Sequence, residues 1–212
     1  AGERVPQQAV WVRAFDRLEW RDLSERRRTM AALRSGIAHV TALGLADPAR
    51  VGVTGLSDGA ETAIFAAIHC GCAAAYAVSG GIHDPISFYL TSGVRRREMR
   101  QDGRGEPAFD EGALWPDLSL SLNVDRVRAP ILAHIADREV LFALQAHRTF
   151  TDRGKPFELY VFPDEYHVKW RPRHRAAICA RTVDWFAFWL QGVVDPDPLK
   201  AEQYARWRAW RD

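Results

Sequence analysis

The sequence predicts an α/β fold in which a mostly parallel sheet carries helices on both faces. Four short apolar runs have the length and composition of buried strands; they are residues 50–56, 73–79, 130–136 and 157–162. Longer segments with helical periodicity alternate with these runs, and this alternation is typical of parallel strands joined by crossover helices. The chain has 212 residues, of which 47% are hydrophobic and 26% are charged, and this composition suits one globular domain.

A helix is predicted at residues 23–44. Ser24 is a suitable N-cap, Glu25 favours the positive end of the helix dipole, and Gly44 can close the C-terminus. Apolar residues recur through this segment at helical spacing. Other helices are predicted at residues 58–69, 138–153 and 172–190, and a short one that uses Trp207 and Trp210 is predicted after Gly192.

Residues 84–128 form a long excursion with weak periodicity and many Gly, Pro, Arg and Asp residues. The excursion follows a predicted strand and is too long for an ordinary connection, so we expect it to line or cover the entrance to a site at that end of the sheet. It contains four closely spaced arginines, Arg95, Arg96, Arg97 and Arg100. A solvated surface accounts for them, and the alternative is that they steer an acidic peptide.

The composition argues against several classes of partner. The net charge of +2 gives no case for nucleic acid, and no run of 18 apolar residues suggests a membrane span. No motif indicates a metal or a cofactor, and we expect neither. The first residues lack the apolar core of a signal peptide, which favours a cytoplasmic over a periplasmic location. The odd number of cysteines argues against a disulfide framework, so we expect Cys70, Cys72 and Cys179 to be reduced and mostly buried.

One short motif carries chemistry. Gly55-Leu56-Ser57-Asp58-Gly59 matches G-x-S-x-G, and it lies between a predicted strand and a predicted helix, as the nucleophile turn of the α/β-hydrolase fold does. The flanking glycines allow a sharp turn without a Cβ clash, and the turn raises the Ser57 hydroxyl above the C-terminal edge of the sheet. The backbone N–H of Asp58 is then the expected oxyanion-hole donor. A Gly-rich connector at a helix start is the alternative.

A serine hydroxyl needs a base, and an acid must hold that base in one tautomer. In this fold the chain order is Ser, then Asp or Glu, then His, each near the end of a strand. Asp137 follows the predicted strand 130–136, and His167 follows the predicted strand 157–162. We therefore predict that Ser57 is the nucleophile, Asp137 the orienting acid and His167 the general base.

Each predicted partner has an alternative. Asp137 could cap the helix that starts at Arg138, and His167 could be a surface histidine. Asp164 and Glu165 are rival acids, but they lie beside His167 in sequence and do not end the preceding strand. The joint placement of three residues on three strand ends favours a serine hydrolase with the α/β-hydrolase fold, a mostly parallel sheet with helices on both faces.

From about residue 24 to residue 192, the sequence resembles the catalytic domain of the prolyl oligopeptidase family of serine peptidases. The shared features are the helix, strand and nucleophile turn, the strand before Asp137, Lys155-Pro156 before the next strand, and His167 ahead of an amphipathic helix. Common members have an aromatic residue after the serine, followed by Gly-Gly. Asp58 and Gly59-Ala60 stand here instead, and this difference argues against proline-type specificity.

A narrower group is also similar. Four stretches look like those of bacterial lasso-peptide isopeptidases, namely Gly55–Gly59, Asn123–Arg126, Glu158–Trp170 and Lys200–Trp207. This resemblance implies hydrolysis, through an acyl-enzyme, of the amide that joins a peptide's N-terminus to an Asp or Glu side chain. The alternatives are a general oligopeptidase-like peptidase, a carboxylesterase with the same three residues, and an inactive fragment of such an enzyme.

The resemblance further implies an N-terminal β-propeller, to which no part of this sequence corresponds. The α/β-hydrolase fold has several strands before the nucleophile strand, but only about 23 residues precede the first predicted helix. We therefore expect residues 1–212 to be the C-terminal part of the catalytic domain of a larger protein. Its expected partners are a peptide substrate and the propeller of the same protein.

Overall fold

The sheet has four parallel strands. Residues 23–91 and 114–212 are described by the computed structural model, and their strands lie in the order β1-β2-β3-β4. The register pairs Leu56 with Ser79 and Ser79 with His134, so the C-terminal ends of three neighbouring strands meet at one edge. The predicted parallel α/β architecture is confirmed. The strands are β1 Gly52–Leu56, β2 Ala75–Ser79, β3 Ile131–Ala136 and β4 Phe157–Phe162.

The helices follow the predicted pattern with two local differences. Leu23, with a φ of 61°, holds the cap position expected for Ser24. The helix predicted at 138–153 is divided into a 3-10 turn, Asp137–Glu139, and a following α-helix. The helices are α1 Ser24–Ala42, α2 Asp58–His69, α3 Pro85–Thr91, α4 Trp115–Leu118, α5 Leu141–Asp152, α6 Pro172–Gln191 and α7 Ala201–Arg211.

Two apolar layers sandwich the sheet. Alternate residues of β2 enter different layers, because successive side chains of a strand point to opposite faces. Tyr76 and Val78 pack with α2 and α5, whereas Ala75 and Ala77 pack with α6 and α7. The second layer is rich in aromatic rings: Trp185 and Phe188 on α6 contact Tyr204 and Trp207 on α7. This packing fixes the sheet rigidly beneath its C-terminal edge.

Strand β1 lies at one side of the sheet. Within residues 23–91 and 114–212 it pairs with β2 alone, and its residues Gly52, Thr54 and Leu56 are exposed. A parallel strand is normally covered on both sides, and an open edge offers unpaired backbone groups to another strand. The outer side of β1 is therefore a pairing surface.

The described ends of the 84–128 excursion are fixed next to β2. Asp84 is fully buried and accepts hydrogen bonds from the Ser119 hydroxyl and from both the N–H and the hydroxyl of Ser121. Burial raises the pKa of Asp84, although these donors oppose the shift. The excursion therefore leaves the fold just after β2, and its returning part at Ser119 and Ser121 lies beside its own start. Arg95, Arg96, Arg97 and Arg100 lie outside the described residues.

The cysteines differ from the prediction. Cys70 and Cys72 form a disulfide, and Cys179 is free and exposed. The expectation of three reduced, mostly buried thiols is wrong, because the turn after α2 brings two cysteines together with only Gly71 between them. In the described part of the chain, no helix has both the length and the apolarity that a bilayer crossing requires.

Candidate active site

Ser57 occupies a tight turn between β1 and α2. Its φ of 59° and ψ of −120° lie in a region that non-glycine residues rarely adopt. The turn leaves no room for a side chain at Gly55, where a Cβ would lie 2.1 Å from the carbonyl oxygen of Gly59. The backbone N–H of Ser57 donates to the carbonyl of Ser79 at 3.0 Å, which ties the turn to the end of β2. The sequence motif therefore forms the strained strand–turn–helix that it predicts.

The N-terminus of α2 is held by an arginine from α1. The guanidinium of Arg26 donates to the carboxylates of Asp58 and Glu61, at 2.6 and 2.8 Å. It also donates to the carbonyl of Asp58 and the hydroxyl of Thr62. Asp58 begins the helix, so its N–H has no acceptor within that helix. Arg26 neutralises two acidic groups beside this amide, a role that the helical pattern of residues 23–44 did not indicate.

Ser57 and His167 are in direct contact. Nε2 of His167 lies 2.7 Å from Oγ of Ser57, and Nδ1 lies 2.6 Å from Oε1 of Glu139. In the tautomer that donates its Nδ1–H to the carboxylate, Nε2 is free to accept the proton of the serine hydroxyl. The three side chains therefore form a continuous hydrogen-bonded chain, which contains the two residues that the sequence predicts to be nucleophile and base.

The carboxylate that contacts His167 is not the one that the sequence predicts. Asp137 does not bond to His167; its carboxylate accepts the backbone N–H groups of Arg138 and Asp164, both at 2.9 Å. The N–H of Asp164 is the main cause that holds the pKa of Asp137 below its ordinary value. Asp137 opens the 3-10 turn and fixes the loop before His167, whereas Glu139 at the end of that turn faces the imidazole. The signal that could have identified Glu139 is the longer reach of a glutamate that lies three residues past the end of β3.

The two rival acids have other partners. The side chain of Asp164 is largely exposed and lies 3.4 Å from the guanidinium of Arg171. Glu165 is buried, with 1% of its surface exposed, and it accepts Nδ1 of His174 at 2.7 Å. It also accepts the backbone N–H groups of Trp170 and Arg171. Burial alone would raise the pKa of Glu165, but these donors outweigh it and the pKa is lowered. Glu165 thus joins the His167 loop to the start of α6.

Glycine is required beside the imidazole. Gly80 follows β2 with a φ of 67°, and a Cβ at this position would lie 2.9 Å from Cε1 and 3.1 Å from Nδ1 of His167. Gly81 also has a positive φ, and a Cβ there would lie 3.0 Å from Cβ of Ala60. The loop after β2 therefore presses its backbone against the base on one side and against α2 on the other.

The surroundings of His167 are apolar and open. Its side chain is 43% exposed, while that of Glu139 is 16% exposed. Tyr166, Val168 and Trp170 are exposed along the same loop, and Trp170 is 69% exposed. We call Tyr166, Val168 and Trp170 the rim. An exposed aromatic and aliphatic rim in the loop that carries His167 is a surface on which an organic ligand can pack.

The family comparison covers most of the chain. The model of the prolyl oligopeptidase family, Peptidase S9, matches residues 19–193. The lasso peptide isopeptidase AtxE2 of Asticcacaulis excentricus is 39% identical over 199 residues, which is 93% of this chain and 29% of that protein. The chain therefore spans less than a third of the length of this relative.

Solved structures agree with the sequence comparison. An AtxE2 isopeptidase variant with Astexin3-dC4 bound superimposes with a TM-score of 0.86 and 38% identity, over 94% of this chain and 31% of that one. An acylaminoacyl peptidase of Pyrococcus horikoshii superimposes with a TM-score of 0.65 over 77% of this chain and 28% of that one. Its identity is 20%, so this second match shows a shared fold. The predicted α/β-hydrolase fold is confirmed, and the chain belongs to the prolyl oligopeptidase family.

Proposed function

We propose that the full-length protein is a serine isopeptidase that opens the amide ring of a lasso peptide. The observation that carries this proposal is the chain of hydrogen bonds from Glu139 through His167 to Ser57, on a strained turn at the start of a helix. Such an arrangement is recognised by geometry and roles, and it performs acyl transfer on many scaffolds.

The proposed mechanism uses these three side chains in sequence. His167 removes the proton of Ser57 as the hydroxyl attacks the amide carbonyl, and Glu139 stabilises the imidazolium that forms. The N–H of Asp58, at the positive end of α2, supports the oxyanion of the tetrahedral intermediate. His167 then returns its proton to the leaving amine, which an amide requires because an unprotonated amine leaves poorly. Water hydrolyses the acyl-enzyme by the same route.

The lasso substrate is favoured by similarity to a relative that is named for this activity. The AtxE2 protein is 39% identical to this chain over 199 residues. In the proposed reaction, the acyl group on Ser57 is the side-chain carbonyl of an Asp or Glu of the peptide, and the leaving amine is the peptide's own N-terminus. The products are one free carboxylate and one free amine, so the peptide gains one water and becomes linear.

The proposal concerns a protein longer than residues 1–212. The chain spans 29% of the length of AtxE2, and further segments would complete the sheet and restrict access to Ser57. We propose a β-propeller of the same protein as the restricting part, and the 84–128 excursion as a cover for the substrate entrance. A propeller filters substrates by size, whereas the residues described above supply the chemistry.

Mass spectrometry of a threaded lasso peptide and of its unthreaded isomer tests the substrate. We expect full-length protein to add one water at the isopeptide bond of the threaded peptide, and Ser57→Ala to abolish the reaction. Cleavage of linear prolyl peptides with the lasso left intact would indicate a general oligopeptidase. Turnover of small esters without any amide cleavage would indicate a carboxylesterase. Absence of fluorophosphonate labelling at Ser57 in the full-length protein would contradict any serine hydrolase.

A further inference from the structure

Lys169 is a buried lysine two residues after the proposed base. Only 5% of its surface is exposed. Its Nζ donates to three acceptors: Oγ of Ser79 at 3.1 Å, the carbonyl of His134 at 3.1 Å and the carbonyl of His167 at 3.3 Å. An ammonium has three N–H donors and no acceptor, so this set of partners matches the protonated form of the side chain.

These contacts join three elements at one point. Ser79 ends β2, His134 lies in β3, and His167 lies in the loop after β4. The carbonyl of Ser79 also accepts the N–H of Ser57. Nζ of Lys169 therefore lies between the end of β2, which is bonded to the Ser57 turn, and the backbone of His167. A shift of the His167 carbonyl away from the sheet would cost its hydrogen bond and leave a buried donor unpaired.

The surroundings of Lys169 also contain the carboxylate that contacts the imidazole. Oε1 of Glu139 is bonded to His167, but Oε2 is buried without a hydrogen-bond partner among the described residues. Burial lowers the pKa of Lys169, while the charges of Glu139 and Glu165 oppose that shift. The titratable groups near it include two buried histidines, whose pKa values burial lowers to about 3 for His134 and about 4 for His83. These two rings remain neutral and do not repel the ammonium of Lys169. The charges that act on it are those of the Glu139 and Glu165 carboxylates.

We propose that Lys169 is a positioning residue for His167: its ammonium holds the loop of the base against β2 and β3 and offsets the buried charge of Glu139. This inference rests on the proposed serine-hydrolase function. It assigns a role in the reaction to a side chain whose hydrogen bonds go to Ser79 and to two backbone carbonyls. Loss of the ammonium should misplace the imidazole and slow the attack, while the surface that binds substrate stays in place.

The test compares three variants of the full-length protein. Lys169→Met removes the charge and the donors at nearly equal size, and Lys169→Arg keeps both. Lys155→Met is the matched control, because Nζ of Lys155 also donates to two carbonyls, those of Val124 and Val127, away from Ser57. The measurements are kcat, KM, the rate of fluorophosphonate labelling and the thermal unfolding temperature.

We expect Lys169→Met to lower kcat and the labelling rate on the order of 10²-fold with little change in KM, the scale associated with a small displacement of a catalytic group. Lys169→Arg should recover part of kcat and of the labelling rate. Lys155→Met should lose stability but keep the parent's kcat and labelling rate. A Lys169→Met protein with the parent's kcat and labelling rate would overturn the proposal.

Ser79→Ala decides the matter if Lys169→Met does not fold. It removes one acceptor of the ammonium at small structural cost, and we expect kcat to fall severalfold at constant KM; parental kcat would overturn the proposal. Measurements on the parent protein distinguish a failure of the role proposed for Lys169 from a failure of the proposed serine-hydrolase function. If the parent labels with fluorophosphonate and only Lys169 proves neutral, the positioning role fails alone. If the parent neither labels nor turns over substrate, the proposed function fails, and the role of Lys169 fails with it.

Discussion

The carboxylate of Glu139 lies 2.6 Å from Nδ1 of His167, two residues beyond the point at which an acid was expected. The residue at the expected point, Asp137, instead accepts the N–H of Asp164 and fixes the loop that carries the histidine. One 3-10 turn therefore supplies two carboxylates with different tasks. One orients the imidazole, and the other orients the loop.

Glu139→Gln should reduce kcat on the order of 10⁴-fold, because an amide no longer selects the tautomer in which Nε2 accepts the serine proton. Asp137→Asn should cost much less, since the amide oxygen can still accept one of the two backbone N–H groups. The rates of ester and amide turnover in the full-length protein measure the difference. If Asp137→Asn proves the more damaging change, Asp137 is the acid in solution after all.

Gly80→Ala should slow the labelling of Ser57, because the added Cβ would meet the imidazole of His167 at 2.9 Å. Gly154→Ala is its control, since Gly154 has a similar φ of 62° with nothing within 4 Å of the added Cβ. Both changes place alanine in the left-handed region and should cost about 1–2 kcal/mol of stability. Equal labelling rates for the two variants would exclude a close approach of Gly80 to the base.

Arg26→Met should lower both the stability and the labelling rate. Arg26 is 8% exposed and donates to two carboxylates at the start of α2, so its loss leaves negative charge beside the proposed oxyanion site. Because the side chain of Asp58 is largely exposed and can be solvated, we expect a stability loss of roughly 2 kcal/mol. Arg27→Met, at an exposed position of the same helix, provides the comparison in urea unfolding. A labelling rate equal to that of Arg27→Met would show that Arg26 serves the helix contact alone.

His134 should make the protein less stable in acid. Burial first, and then the charges of Arg181 and Lys169, lower the pKa of His134 from 6.5 to about 3. Between these values the unfolded chain binds a proton that the folded chain does not. The free energy of unfolding therefore falls as the pH decreases below 6.5, by up to about 1.4 kcal/mol per pH unit.

His134→Gln removes this proton uptake and should reduce the pH dependence of urea unfolding between pH 7 and pH 5, while His83, whose pKa burial lowers to about 4, maintains the remainder. The control is His39→Gln, because His39 is exposed on α1. The slope of the parent should persist in the control. An unchanged slope in His134→Gln would mean that the ring is accessible to protons in the folded protein.

Sequence patterns identify Ser57 and His167 because each lies at a feature that is local in the chain. Ser57 is marked by the glycines around it, and His167 by a strand that ends five residues earlier. Glu139 is less visible, since its role depends on the direction in which a 3-10 turn points two acidic side chains. Lys169 and Arg26 could not be identified, because their importance comes from burial against partners that are distant in sequence.

The same distinction holds for the fold. The four strands were predicted within two residues of their observed ends, because buried parallel strands are continuous apolar runs. The sequence does not predict the break between the 3-10 turn and α5, because helical propensity continues across it. The disulfide between Cys70 and Cys72 was also missed, because a count of cysteines carries no information on the geometry of the turn between them.

The exposure of Trp170 gives the site an optical property. Trp115, Trp185 and Trp207 are fully buried, whereas 69% of Trp170 is in contact with solvent beside the base. Its indole should emit at longer wavelength than the buried rings and, among the tryptophans of residues 23–91 and 114–212, should be the one most readily quenched by iodide or acrylamide. A peptide that covers the rim would displace water from this ring, shift its emission to the blue and protect it from the quencher. Binding can therefore be followed without a label in Ser57→Ala, where no bond is broken.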